Sequence, residues 1–244
     1  MAVPRILGFA GPAGSGKDRA GRAVQDAFGH EPTAIADLLK DIAARCYDVD
    51  VGLLEDAREA LAAGKTLTES QARKIAEVRA ALWRIGDAMK TVDPDCLIRG
   101  AMRFADMAVP ARACKPAPKG CVKDGGMLRA KVVFTDVRNP NEIRWIRERG
   151  GAVVKIQGPS LWGPRPVHVV ADNRLETDDL PVLDVSAVAE ECITLQRAGS
   201  PEPWRRFNAR VVGWLVEHFG GDASLDLDND IEMAQTPEDV DTDG

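Results

Sequence analysis

The chain has 244 residues, is 45% apolar and carries a formal net charge of −6, with a mean hydropathy of −0.20. Such a length can bury a substantial core, either as one domain with an insertion or as a large and a small lobe. No apolar run approaches the ~20 residues of a membrane helix, which excludes a bitopic or polytopic helical protein. The acidity is local: residues 222–244 hold nine acids and no Lys or Arg, so the other 221 residues are net basic and suit a phosphate-rich substrate. Five cysteines, odd in number and scattered, read as reduced thiols rather than a disulfide framework, and Cys114 with Cys121 are too few for a zinc site. Met1-Ala2-Val3-Pro4-Arg5 runs straight into an apolar segment, so no signal peptide and a cytoplasmic location are expected.

The first apolar run, Ile6-Leu7-Gly8-Phe9-Ala10, reads as a strand, and a helical pattern begins near Lys17. Between them lies Gly11-Pro12-Ala13-Gly14-Ser15-Gly16-Lys17-Asp18. Strand, glycine-rich turn and helix is the context of a phosphate-binding loop. Glycines let successive N–H groups converge on one hollow, which the positive end of the helix also faces. The expected phosphate contacts are therefore Gly11, Gly14, Ser15, Gly16 and Lys17, with Lys17 reaching the β- and γ-phosphates as a mobile charge. A Ser or Thr usually follows the Lys and ligates Mg²⁺. Asp18 stands there instead, either as a metal ligand or as a favourable acid at the helix start.

The first helix should end near Phe28, followed by a short strand at 33–36 and a helix opening at Asp37. Residues 49–63 and 68–91 have apolar positions at spacings of three and four, Ile75, Val78, Leu82, Ile85 and Met89 among them, and read as amphipathic helices. Thr68 and Gln71 form a capping-box pattern. Another helix runs from Asp93-Pro94 to about Met107, and the Pro, Gly and Cys content of 109–129 predicts a surface loop. Residues 131–136 read as a buried strand, 141–149 as a helix and 152–156 as a strand, which together make a parallel βαβ unit. Residues 157–181 are polar and rich in Pro and Gly. A last strand at 182–185 precedes helices at 186–198 and 204–219, the second amphipathic, and the acidic tail is expected to be disordered.

Asp136 and Arg138 fall at the carboxyl end of a strand, where ligands of open parallel sheets gather. Asp136 is placed to hold Mg²⁺, and the Arg138 fork suits a phosphate; the structural alternative is an ion pair between Arg138 and Glu142. Arg165, His168 and Arg174 lie in the polar segment and read as a lid that excludes water and brings cations to a transferring phosphoryl group.

These motifs resemble a family. Gly-x-x-x-Ser-Gly-Lys-Asp at Gly11–Asp18, Ala-Asp-x-Leu-Lys at Ala36–Lys40, Arg79 seven residues before Gly86-Asp87, and Asp-x-Arg-x-x-x-Glu at Asp136–Glu142 are similar to those of bacteriophage deoxynucleoside monophosphate kinases, members of the P-loop nucleotide kinase superfamily. The resemblance covers residues 5 to about 185 with gaps. It implies an α/β fold: an NMP-kinase-like three-layer α/β/α with a parallel central sheet, a helical substrate-binding insertion and a lid. In chain terms, residues 1–48 and 130–200 form the core, 49–129 the insertion, 157–181 the lid, 201–221 a C-terminal helix and 222–244 the tail.

The resemblance further implies transfer from ATP, with Mg²⁺, to a deoxynucleoside monophosphate, often in a homodimer, with no direct nucleic-acid binding and no membrane partner. Lys17 would stabilise the moving phosphoryl group, and Asp136, with Asp18, would serve the metal. Arg79 and Arg138 would clamp the acceptor phosphate. Asp37, Lys40 and Glu142 would face the acceptor nucleotide, and His168 matches a lid histidine. Cys96 stands where an aromatic often follows Asp-Pro-Asp in this family. No covalent intermediate is needed, because the acceptor oxygen is already an anion and alignment with charge neutralisation suffices. Two other readings stay open: a different P-loop small-molecule kinase of the dephospho-coenzyme A kinase type, and a nucleotide-binding interaction module that uses its P-loop as a switch.

Overall fold

The computed structural model describes residues 2–12, 14–62, 65–112, 121–124, 127–159, 179–200 and 203–221. Five strands form one parallel sheet: β1 (Ile6–Ala10), β2 (Glu31–Thr33), β5 (Val132–Val137), β6 (Ala152–Gln157) and β7 (Val182–Asp184), in the order β2-β5-β1-β6-β7. The central strands β1 and β5 are buried at every residue, which is why they read as continuous apolar runs rather than alternating ones. Alternate residues nevertheless serve different cores. Leu7, Phe9 and Val133 pack with α1 (Lys17–Phe28), α7 (Ser186–Arg197) and α8 (Arg205–Phe219) on one face. Ile6, Ala10, Val132 and Phe134 pack with α2 (Ile35–Tyr47), α5 (Cys96–Arg112) and α6 (Pro140–Glu148) on the other. The protein is thus α/β, with helices covering both faces of an all-parallel sheet.

Close contacts set the layer spacing. A Cβ on Gly21 of α1 would lie 2.5 Å from Thr135 Cγ2, and one on Gly8 would lie 2.8 Å from Ile146 Cδ1 of α6. Those two glycines let α1 and α6 settle directly onto β5 and β1. A smaller apolar cluster, Ala43, Val78 and Leu82 with Leu39, Leu53, Leu54 and Ile85, joins α2 to α3 (Gly52–Ala62) and α4 (Glu69–Val92).

Most expected elements are present, with informative differences. The α1 bounds agree with expectation, and Thr68 with Gln71 makes the reciprocal capping box of α4. The strand expected at 33–36 lies instead at Glu31–Thr33, because α2 begins at Ile35, two residues before the acidic start read from sequence. The 109–129 loop is corrected as well. Helix α5 continues to Arg112, and β3 (Cys121–Asp124) pairs antiparallel with β4 (Met127–Ala130). Gly125-Gly126 between these strands is the hairpin signal that the loop-like composition hid. The expected lid and tail fall almost wholly outside the described residues. Among the described residues, no helix is long and apolar enough to cross a membrane.

His30, just before β2, is fully buried, and its Nε2 lies 2.8 Å from the Pro4 carbonyl oxygen. That contact needs a donated Nε2–H, so the neutral ring with a bare Nδ1 satisfies it. Burial lowers the His30 pKa to about 4, with the nearby Lys131 acting in the same direction. The unfolded chain would bind a proton near pH 6.5 that the folded chain refuses until about pH 4. His30 therefore stabilises the fold fully above pH 6.5, and this contribution is lost as pH falls towards 4. Denaturant titrations of wild type and His30→Gln should diverge in pH slope over that window, the wild type losing about 3 kcal/mol more between pH 7 and pH 4.

Candidate phosphoryl-transfer site

The phosphate-binding loop joins β1 to α1 at the carboxyl edge of the sheet. Gly11, Gly14 and Gly16 have φ of 135°, 84° and 92°, a region closed to most side-chain-bearing residues. At Gly11 a Cβ would also lie 2.4 Å from the Ile156 carbonyl oxygen. Gly16 occupies the N-cap of α1 without a capping side chain. The first-turn N–H groups thus have no side-chain cap from that position, the condition under which a helix start receives an anion. Lys17 Nζ folds back to donate to the carbonyl oxygens of Gly11 at 2.9 Å and Pro12 at 2.6 Å. Its ammonium is therefore held across the mouth of the loop. The Ser15 hydroxyl is buried and has no hydrogen-bond partner among the described residues.

Beside this loop runs the end of β5. Ala10 pairs with Val137, so Gly11 and Arg138 leave neighbouring strands side by side, about 5 Å apart in backbone. The order β2-β5-β1-β6-β7 reverses direction at β1: the chain passes from β1 through α1 to β2 on one side, then returns from β5 through α6 to β6 on the other. Such a reversal leaves a crevice outside the carboxyl ends of the strands.

Asp136 does something its sequence position did not announce. Its Oδ1 accepts from the Ile35 N–H at 2.6 Å and its Oδ2 from the Ala36 N–H at 2.9 Å. Those are the first two residues of α2, whose amides have no carbonyl partner within the helix. A carboxylate from β5 thus caps a helix about 100 residues away. Burial raises the Asp136 pKa, opposed first by the charge of Arg138 and then by the two amide hydrogen bonds. Each oxygen keeps one lone pair for a metal or a bound water.

Glu142 is also a cap. It accepts from the backbone N–H groups of Arg138 and Asn139 at 2.7 and 2.9 Å, and from Asn139 Nδ2 at 2.6 Å, closing the capping box of α6. The Arg138–Glu142 contact is thus made through the Arg138 backbone and not through its guanidinium. The Asn139-Pro140-Asn141-Glu142 pattern carries this signal in sequence. Burial raises the Glu142 pKa against those hydrogen bonds.

The guanidinium of Arg138 meets another cation. Arg79, on α4, has its pKa lowered by burial and then by the charge of Arg138. Neither guanidinium forms an ion pair among the described residues, and both residues are solvent-accessible. Arg138 thus faces both the buried Asp136 carboxylate and the like charge of Arg79, and a further anion between the two guanidiniums would relieve their repulsion. Lys40 is differently placed. Its Nζ lies 3.0 Å from both Asp37 Oδ1 and Glu55 Oε1, tying α2 to α3. Burial alone would lower its pKa, but the two carboxylates prevail and hold it above the ordinary range. Asp37 and Lys40 are therefore engaged with each other.

Asp18 lies in the first turn of α1, exposed to solvent. Among the described residues, no three His, Cys, Asp or Glu side chains cluster as a metal cage. A Mg²⁺ bound mainly through phosphate oxygens and water needs no such cage. The orphaned Ser15 hydroxyl and the remaining lone pairs of Asp136 fit that kind of ion. Arg165, His168 and Arg174 lie outside the described residues.

The fold is α/β with an all-parallel five-stranded sheet flanked by helices, compatible with a P-loop-like α/β protein. Comparison with protein-family profiles finds no match, and comparison with curated proteins finds none of significant similarity.

If Asp136 caps α2, its replacement must matter without any nucleotide. Asp136→Asn presents an amide N–H to one of two backbone donors. Unfolding in the presence of a chelator should show a loss of about 2 kcal/mol, whereas a residue serving only a metal would leave that measurement unchanged.

Proposed function

We propose that this protein transfers the γ-phosphoryl group of ATP to a nucleoside monophosphate, with deoxynucleoside monophosphates the favoured class. The observation that carries this reading is the placement of Arg138 at the end of β5 beside the glycine-rich loop, with Arg79 of α4 near enough to feel its charge. A nucleotide hydrolase or switch needs one phosphate site, the loop at Gly11–Lys17. A second cationic site beside it suits an acceptor that brings its own phosphate. The resemblance to phage enzymes adds a role in supplying deoxynucleoside triphosphate precursors for viral DNA synthesis in the host cytoplasm.

The division of labour follows from charge. The loop amides and Lys17 receive the β- and γ-phosphates; the guanidiniums of Arg79 and Arg138 fix the acceptor phosphate in line with them. Mg²⁺, held by Ser15, Asp18 and Asp136 together with phosphate oxygens, would supply further neutralisation of negative charge. The acceptor oxygen needs no base, since it is ionised at neutral pH, so catalysis rests on alignment and on offsetting repulsion between two anions. Lys17, bound to its own loop carbonyls, exchanges these for phosphate oxygens when ATP arrives.

An ADP-release assay over a panel of acceptors tests the assignment directly, with deoxynucleoside monophosphates expected to drive turnover and dephospho-coenzyme A not. Arg138→Lys keeps the charge but loses the fork, and should lower kcat/KM for the acceptor by about 10²-fold while ATP affinity changes by less than about threefold. Arg79→Ala should impair acceptor use as well, yet leave thermal stability without ligand unchanged or higher, because it removes a like-charge contact. Loss of ATP binding with acceptor binding intact in Arg138→Lys would assign that residue to the donor side and overturn the reading.

A further inference from the structure

Trp83 is the one exposed tryptophan among the described residues, with 63% of its surface open to solvent, whereas Trp145 and Trp214 are buried. A single exposed apolar side chain is ordinary on a protein surface; what distinguishes Trp83 is its position along α4. The buried stripe of that helix is Ile75, Val78, Leu82 and Gly86, which packs toward α2 and α3. Arg79 and Trp83 are four residues apart, so both project from one flank of this stripe, one above the other. Long side chains on a helix lean toward its N-terminus, which brings the indole over the turn that carries Arg79.

We propose that Trp83 is the platform on which the nucleobase of the acceptor monophosphate stacks, and that it helps to set base preference. This rests on the acceptor-phosphate reading of Arg79 and Arg138. Four residues of α-helix advance about 6 Å, about the span of one pentose between a 5′-phosphate and its base. A phosphate gripped by Arg79 and Arg138 therefore leaves its base within reach of the indole face. A flat apolar ring suits this task because every base offers a π-face, so stacking adds affinity with little demand on base identity.

Calorimetric titration with a deoxynucleoside monophosphate, and separately with deoxyribose 5-phosphate, distinguishes the possibilities. Trp83→Ala should weaken nucleotide binding about tenfold and leave the baseless sugar phosphate within about threefold of wild type. Trp83→Phe should retain most of the nucleotide affinity, and the quenching of tryptophan emission by bound nucleotide should be lost in it. Exposed Trp83 contributes nothing to a core, so both variants are expected to fold. Unchanged nucleotide affinity in Trp83→Ala, with wild type binding both ligands, overturns the platform and leaves the phosphate site standing. Wild type that binds neither ligand overturns the acceptor reading itself, and this inference with it.

Discussion

The carboxylate of Asp136 is the constraint from which the rest of the site takes its position. It sits at the end of a strand buried in the sheet centre and satisfies the first two amides of α2. Through α2 the remaining helices of that lobe are placed: α4 packs on α2, and α5 on both, with Leu38 Cδ2 only 2.4 Å from where a Cβ on Gly100 would lie. The helix that carries Arg79 is therefore positioned through α2, whose start one buried acid holds. Burial disfavours that acid's charge, while Arg138 and the two amides favour it. Structure and electrostatics are coupled there, so anything that protonates Asp136 both loosens α2 and leaves the Arg138 guanidinium less compensated.

The two halves of the crevice handle their charge in opposite ways. On the loop side, Lys17 donates to carbonyl oxygens of the loop it belongs to, so its charge is balanced locally. On the other side, Arg79 and Arg138 oppose each other, and Arg138 shares the field of buried Asp136 without an ion pair to it. Preorganised repulsion of this kind is a local instability that binding relieves, which is how a site can be selective for anions without being stable on its own. Lys40 shows the contrast: flanked by Asp37 and Glu55, it serves as a brace between α2 and α3.

What the sequence disclosed depended on how local each signal was. The glycine-rich turn, the Thr68–Gln71 box and the β5–α6–β6 unit are set by residues within a few positions of one another, and the structure contains all three. The start of α2 could not be read, because its cap arrives from β5 about 100 residues later and leaves no trace near Ile35. Asp136 and Glu142 were legible as acids at a strand end and a helix start; what they accept from was only partly so. Glu142 follows a recognisable capping pattern, whereas Asp136 answers to tertiary packing alone. The hairpin of β3 and β4 was hidden by composition, since Pro, Gly and Cys in its vicinity resemble an unstructured connection.

The two margins of the sheet are formed by β2 and β7, each only three residues long, with Pro32 inside the first and Pro181 immediately before the second. A proline offers no N–H to an incoming strand, and three residues give too short a template to hold one. Neighbouring copies of the chain consequently find little ladder to extend at either margin of the five-stranded sheet, apolar as its interior is. The same short margins oppose fibre growth from this sheet, whose central strands are almost wholly apolar.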